Sequence, residues 1–357
     1  MKQLVRFFII GMLVSGVLLY LISSLNQSQG YTGGNTLTIF NWGDYIDEEL
    51  ITQFEAETGI KIVYETFDSN EAMMTKIEQG GTSYDIAVPS EYMIDKMRQE
   101  DLLIPLDHDK LPNLKNIDER FLDLPFDPDN IYSVPYFWGT VGITYNAELL
   151  PDKTFTSWND LWDPDLKNEI ILIDGAREII GMGLNSLGYS LNDTNKAHLQ
   201  EAFDKLGTLT PNIKAIVGDE NKLLMQNNEA AVAVLWSGDA ADIMWENEAI
   251  DYVIPEEGSN LWFDNIVIPK TAKNIEAAHA FINFMLDAKV AAQNTEYVAY
   301  STPNQAALQY MDPEMVADER FYPPPALTEK LEVYQNLGKR NLAYYNDLFL
   351  AFKMYGK

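Results

Sequence analysis

From Leu37 onward, short apolar runs alternate with segments of helical periodicity, and this alternation restricts the fold more than any other feature of the chain. Residues 37–40 read as a buried strand, 48–57 as a helix stopped by Gly59, 60–64 as a second strand and 71–79 as a second helix. Asp68 stands where it would cap that second helix. Its carboxylate would accept from the Glu71 N–H while the Glu71 side chain reaches back, a capping box in outline. Residues 85–88 give a third strand and 91–100 a further helix. Strands and helices at this spacing imply right-handed crossovers, hence parallel strands with helices on the faces of the sheet.

A second unit of the same kind follows, with strands at 143–145, 169–173, 230–235 and 252–254 and helices between them. The pattern therefore predicts two α/β domains, and 357 residues of 46% hydrophobic composition supply enough core for both. Residues 265–268 look like another strand, and the helix after it, 275–286, resembles neither domain's end, as if the chain crossed back to the first domain. Residues 327–337 and 343–354 read as helices packed on the outside, with 322–325 a rigid break before them.

Ahead of the alternation, Lys2 and Arg6 precede an uncharged stretch, 7–25, long enough to cross a bilayer as one helix. The flanking cations favour the cytoplasmic side, which puts everything after Asn26 outside, beyond a flexible spacer at 27–35. A cleaved secretory signal is the competing reading. The apolar stretch is long for one and no small-x-small site precedes Tyr31, so an uncleaved membrane anchor is expected. Cysteine is absent, which excludes disulfides, a thiol nucleophile and anchoring through an acylated cysteine. The net charge of −29 attracts cations and disfavours nucleic acid as a partner.

Catalytic motifs are scarce. His108, His198 and His279 are too scattered for a zinc site. Gly181 and Gly183 begin a G-x-G inside a helix without the remaining glycine of a dinucleotide fingerprint, and small residues for helix packing explain them. Ser237 lacks the flanking glycine of a nucleophile elbow. Tyr344 and Tyr345 invite a phenolate site for ferric ion, but an amphipathic helix face is the commoner explanation for such a pair, and Trp158 with Trp162 reads as packing. An acidic chain also offers carboxylate pairs to a glycosidase, whose separation the sequence does not give.

What accumulates instead is aromatic and acidic residues just past the strands, where open α/β sheets bind ligands. Asn41-Trp42-Gly43-Asp44-Tyr45 follows the first strand and Pro89-Ser90-Glu91-Tyr92 the third. Asp174 to Glu178 and Trp236-Ser237-Gly238-Asp239 occupy the same place in the second unit, and Trp262-Phe263-Asp264 and Tyr300 join them.

These blocks, together with Glu57-Thr58-Gly59-Ile60, Ser69-Asn70-Glu71, Phe126-Asp127-Pro128, Pro135-Tyr136, Trp138-Gly139, Leu187-Gly188-Tyr189-Ser190 and Thr302-Pro303-Asn304, run through nearly the whole chain after the N-terminal segment. In this the sequence resembles the bacterial spermidine/putrescine-binding proteins that feed polyamine ABC importers. The resemblance implies a two-lobed periplasmic-binding-protein-like fold. Lobe 1 would comprise 33–140 plus 264–307 and lobe 2 141–263 plus 308–357, each a mixed sheet flanked by helices, with the ligand cleft between them. It implies a non-enzymatic monomer without cofactor, working outside the cytoplasm with a permease and ATPase complex. It also implies a ligand set of Trp42, Tyr45, Ser90, Tyr92, Glu178, Trp236, Trp262, Asp264 and Tyr300. Such a set suits a flexible methylene rod with charged ends. Aromatic faces contribute ~0.5 to 2 kcal/mol per ammonium contact, and carboxylates roughly 1.5 to 3 kcal/mol per charged hydrogen bond. Micromolar affinity needs about 8 kcal/mol, so several must act together. Three departures from the family pattern, Gly175, Gly43 and Gly218, remove polar partners at one end. Asp174, Asp44 or Glu91 would have to substitute, and among putrescine, spermidine and spermine the reading leans to spermidine.

Overall fold

The computed structural model describes residues 15–16, 35–218 and 220–355. Apart from residues 15–16, the anchor expected at 7–25 lies outside the described residues, as does nearly all of its spacer, and among the described residues no helix is long and apolar enough to cross a membrane.

The chain opens with β1 (Thr36–Trp42), α1 (Glu48–Thr58), β2 (Lys61–Phe67), α2 (Asn70–Gln79), β3 (Ile86–Ala87) and α3 (Glu91–Gln99). Asp47 caps α1 by accepting from the Glu49 N–H, and Gly59 closes it at φ 71°, a left-handed conformation that glycine adopts without steric cost. The cap of α2 is Ser69, one residue later than expected for Asp68. Its extended backbone lets the hydroxyl accept from the Ala72 N–H at 3.2 Å, so the Asp68–Glu71 box does not form.

A long strand follows, β4 (Ser133–Asn146), then β5 (Ile170–Ile173), α4 (Ala176–Asn185), α5 (Lys196–Leu209), β6 (Ile213–Val217), α6 (Glu220–Gln226), β7 (Val232–Trp236), α7 (Ser237–Glu246), β8 (Ile250–Val253) and β9 (Leu261–Val267). The chain ends in α8 (Ile275–Met285), α9 (Ala288–Val298) and, after two single turns, α10 (Gly338–Tyr355). Gly183 lets α4 lie close on α5, since a Cβ there would come 2.9 Å from Leu206, in keeping with a packing role for the small residues. Tyr345 is fully buried on the inner face of α10.

The strands form one path, β2-β1-β3-β9-β4-β7-β5-β6, with β8 also paired to β4. Strands connected through helices pair in parallel, β1 with β2 and β3, β5 with β6 and β7, as the alternation requires. The antiparallel strands β4 and β9 join the two wings of this path. Residues 133–140 of β4 pair with β9, and 141–146 pair with β7 and β8.

β4 is far longer than the 143–145 expected and α9 was not expected at all, and two further elements differ from the sequence reading. The edge strand β6 is half-buried and carries no strong apolar run, which hid it. The stretch expected as a helix at 327–337 is mostly extended after a single turn at Pro325–Thr328. Glu332 pairs with the approach to β9, its N–H donating to the Ser259 carbonyl and its carbonyl accepting from the Leu261 N–H, both at 2.9 Å. A strand offering unpaired backbone groups outweighs local helix propensity there.

Candidate functional site

β1 ends in Trp42, and the loop after it brings Tyr45 inward, where Tyr136 donates its hydroxyl to the Tyr45 carbonyl at 2.7 Å. β9 carries Asp264 from the opposite direction, only 6% exposed. The Tyr45 hydroxyl donates to Asp264 Oδ2 at 2.7 Å and the Ser90 hydroxyl to Oδ1 at 2.6 Å. Ser90 is set by Asn70, which accepts from the Ser90 N–H and donates to its hydroxyl, both at 3.0 Å. Tyr300 stands edge-on to Tyr45 with centroids 5.5 Å apart and to Trp262 at 5.2 Å, and its hydroxyl donates to Asp239 at 3.1 Å. Tyr45, Ser90, Trp262, Asp264 and Tyr300 thus form one continuous cluster.

Two glycines make that cluster possible by close approach. A Cβ at Gly139 would lie 2.5 Å from both the Trp262 ring and the Ser237 hydroxyl, and one at Gly238 would overlap the Tyr300 ring. Ser237 accepts the Thr140 N–H at 3.2 Å, a structural bond that fits the absence of a nucleophile elbow.

A second group lies across the first turn of α3. Tyr92 faces Tyr334 at 6.5 Å between centroids, and its hydroxyl reaches Glu71 at 3.4 Å. Glu178 at the start of α4 interacts with Tyr334, Arg177 and Glu71. The Arg177 guanidinium lies over the Tyr334 ring at 4.2 Å and the Tyr92 ring at 6.0 Å, while donating to the Gln335 carbonyl and to Asn192. Glu91 links the groups. It is wholly buried, and one oxygen accepts the Phe263 N–H at 3.0 Å while the other has no hydrogen-bond partner.

Three acids are buried here: Arg177 acts on Glu91 and Glu178, while Asp264 has hydroxyls and no cation as its hydrogen-bonding partners. Burial pushes Asp264 up to about 6, against the downward pull of the Ser90 and Tyr45 hydroxyls. Burial likewise pushes Glu91 up to about 8; the Phe263 N–H and Arg177 oppose this and Asp264 adds to it. Glu178 is raised by desolvation, with Arg177 pulling down and Glu71 pushing up. Carboxyl groups so placed are stabilised by a cation that enters without its water.

Of the nine residues expected here, Trp42 and Trp236 stand apart from these bonded groups. Trp42 rests on Phe67 at 4.5 Å with its buried indole N–H unpartnered, and Trp236 lies opposite Val141 in the β4–β7 pairing, half-buried. Tyr334, Asn70 and Arg177 were missed as members. Tyr334 gave no signal, because it sits in the segment misread as helix. Among the replacements considered at Gly175, Asp174 is engaged elsewhere, both oxygens accepting from Lys353 at 2.7 Å. Gly175 itself leaves room that the Glu178 carboxylate occupies, since a Cβ there would overlap it.

The ferric reading of the tyrosine pair does not survive. The Tyr345 hydroxyl donates to the Leu191 and Asp193 carbonyls, and the Tyr344 ring lies under Lys196 at 5.0 Å. Among the described residues no group of three or more His, Cys, Asp or Glu side chains could hold a metal.

A two-winged α/β sheet with a buried, acid-and-aromatic site at its crossing defines a binding protein, and the chain belongs to the bacterial extracellular solute-binding protein family, whose sequence pattern matches residues 49–323. Within that family it is 38% identical to the spermidine/putrescine-binding periplasmic protein of Salmonella typhimurium, over 92% of this chain and 95% of that one. It is 39% identical to the protein of the same name from Escherichia coli, over 87% and 89%. Two solved structures are similar. A Listeria monocytogenes protein named provisionally for spermidine/putrescine ABC transport is 69% identical, with TM-score 0.87 over 90% of this chain and 99% of that one. The spermidine/putrescine ABC transporter substrate-binding protein PotD of Streptococcus pneumoniae is 56% identical, with TM-score 0.82 over 90% and 100%.

Proposed function

We propose that this chain captures a polyamine, spermidine or putrescine, outside the cytoplasmic membrane and delivers it to the permease and ATPase of an ABC importer. The observation that carries the reading is Asp264, a carboxyl group buried between two hydroxyls and walled by Tyr45, Tyr300 and Trp262. A polyamine is a flexible methylene chain whose amines stay protonated at neutral pH, as a lysine side chain does. One ammonium goes to Asp264 and a second to Glu178, with Trp42, Tyr45, Ser90, Tyr92, Trp236, Trp262 and Tyr300 covering the methylenes and flanking the charges. The names of the similar proteins support this ligand class.

The chain then divides at β4 and β9 into lobe 1, 33–140 plus 264–307, and lobe 2, 141–263 plus 308–357, which close on the ligand as a monomer. The uncharged segment 7–25 tethers the molecule to the membrane. Calorimetric titration of the purified chain with putrescine, spermidine and spermine tests the ligand. At least one should bind at micromolar concentration, with affinity falling as ionic strength rises. Silence with all three at millimolar ligand would end the proposal. The tether fails if N-terminal sequencing of the membrane-derived protein starts at Asn26 or beyond.

A further inference from the structure

Lys222, on α6, brings an ammonium of the chain's own to the edge of this site. Its Nζ lies 3.4 Å from Asp242 and 3.9 Å from Asp239. Asp239 accepts the Tyr300 hydroxyl through the same oxygen, and Tyr300 is the ring that bridges Tyr45 and Trp262. An internal cation is therefore joined through one carboxylate to the aromatic wall around Asp264. Two thirds of the Lys222 side chain is withdrawn from solvent. Burial alone would lower its pKa, but the fields of Asp239 and Asp242, with Asp44 from the loop after β1, hold it above the ordinary lysine value. Lys222 stays charged in a place where a ligand amine would otherwise find two acids.

We propose that Lys222 is a specificity-determining residue: its ammonium fills the acidic subsite formed by Asp239 and Asp242 and closes that end of the cleft to an additional ligand ammonium. The inference rests on the polyamine reading. A diamine satisfied by Asp264 and Glu178 is nearly indifferent to Lys222. A longer polyamine with a further charge to place meets a cation of like sign beside Tyr300, and like charges held close together repel. Lys222→Met keeps the bulk of the side chain and leaves the two aspartates without that charge. Lys222→Arg keeps the charge.

Wild type and both variants are titrated calorimetrically with putrescine, spermidine and spermine at one ionic strength. In Lys222→Met the ratio of spermine to putrescine affinity should rise about tenfold or more over wild type, while Lys222→Arg stays within about twofold. A ratio in Lys222→Met within about twofold of wild type overturns the assignment. If circular dichroism shows Lys222→Met unfolded, Lys222→Gln gives the same ratio by the same criterion. If wild type itself binds none of the three, the polyamine reading falls and Lys222's role with it; if wild type binds and the ratio does not move, only the role of Lys222 falls.

Discussion

Lowering the pH from 7 to 5 should weaken polyamine capture through Asp264. Its carboxyl titrates at about 6 because it is buried with two hydroxyls rather than a cation as hydrogen-bonding partners. With that value about nine tenths of the unliganded protein carries the carboxylate at pH 7 and about one tenth at pH 5, while the ligand's ammoniums stay protonated throughout. The competent fraction falls about tenfold, a loss of about 1.4 kcal/mol in binding. Binding at pH 5 should also expel close to one proton, readable by calorimetry in buffers of different ionisation enthalpy. Asp264→Asn should lower affinity at pH 7 by about 10- to 150-fold, the equivalent of a charged hydrogen bond of roughly 1.5 to 3 kcal/mol, and flatten the pH dependence. Glu178, also raised, leaves a residual slope. Unfolding through Asp264 does not mimic the effect. Its folded-state value lies above the ordinary 3.8, so its contribution to stability is fully present below that value and is lost as pH rises through about 6. Constant affinity from pH 7 to 5, or an Asp264→Asn variant with the wild-type slope, would refute the assignment of an ammonium to this carboxylate.

Glu91 carries the opposite test, one of stability rather than binding. Its value of about 8, against an ordinary 4.5, means that the folded protein holds it neutral where the unfolded chain ionises it, so its stabilising share is fully present below about 4.5 and is lost as pH rises to about 8. Glu91→Gln should therefore match wild type in Tm at pH 4 and exceed it by about 2 °C or more at pH 9; equal melting at both pH values would show that Glu91 does not titrate in this range. Gly238→Ala forces a methyl group into the space of the Tyr300 ring. Overpacking of this kind costs about 1 to 3 kcal/mol, and the displaced ring should take about tenfold of the polyamine affinity with it. Unchanged Tm and unchanged affinity in that variant would mean that the ring has another place to go.

The local periodicities of this sequence are sufficient to set its strands and helices through most of the chain, because burial on one face of a helix or both faces of a strand acts over a few residues. They placed β1, α1, β2, α2, α3, β5, α8 and most of β7 within a few positions, and the parallel pairing followed from helical connections. They also placed aromatic and acidic residues past the strand ends, which is where the family resemblance found its ligand set. What tertiary structure alone decided was which of those residues meet. The Tyr45–Asp264 bond spans 219 positions and the Ser90–Asp264 bond 174, and no local period encodes contacts at that range. The same holds for β4, whose two halves take different partners, and for 327–337, drawn out of helix by the backbone leading into β9. Tyr334 enters the site by that route. The carboxyl groups gain their unusual affinity for protons only when the assembled wings remove their water.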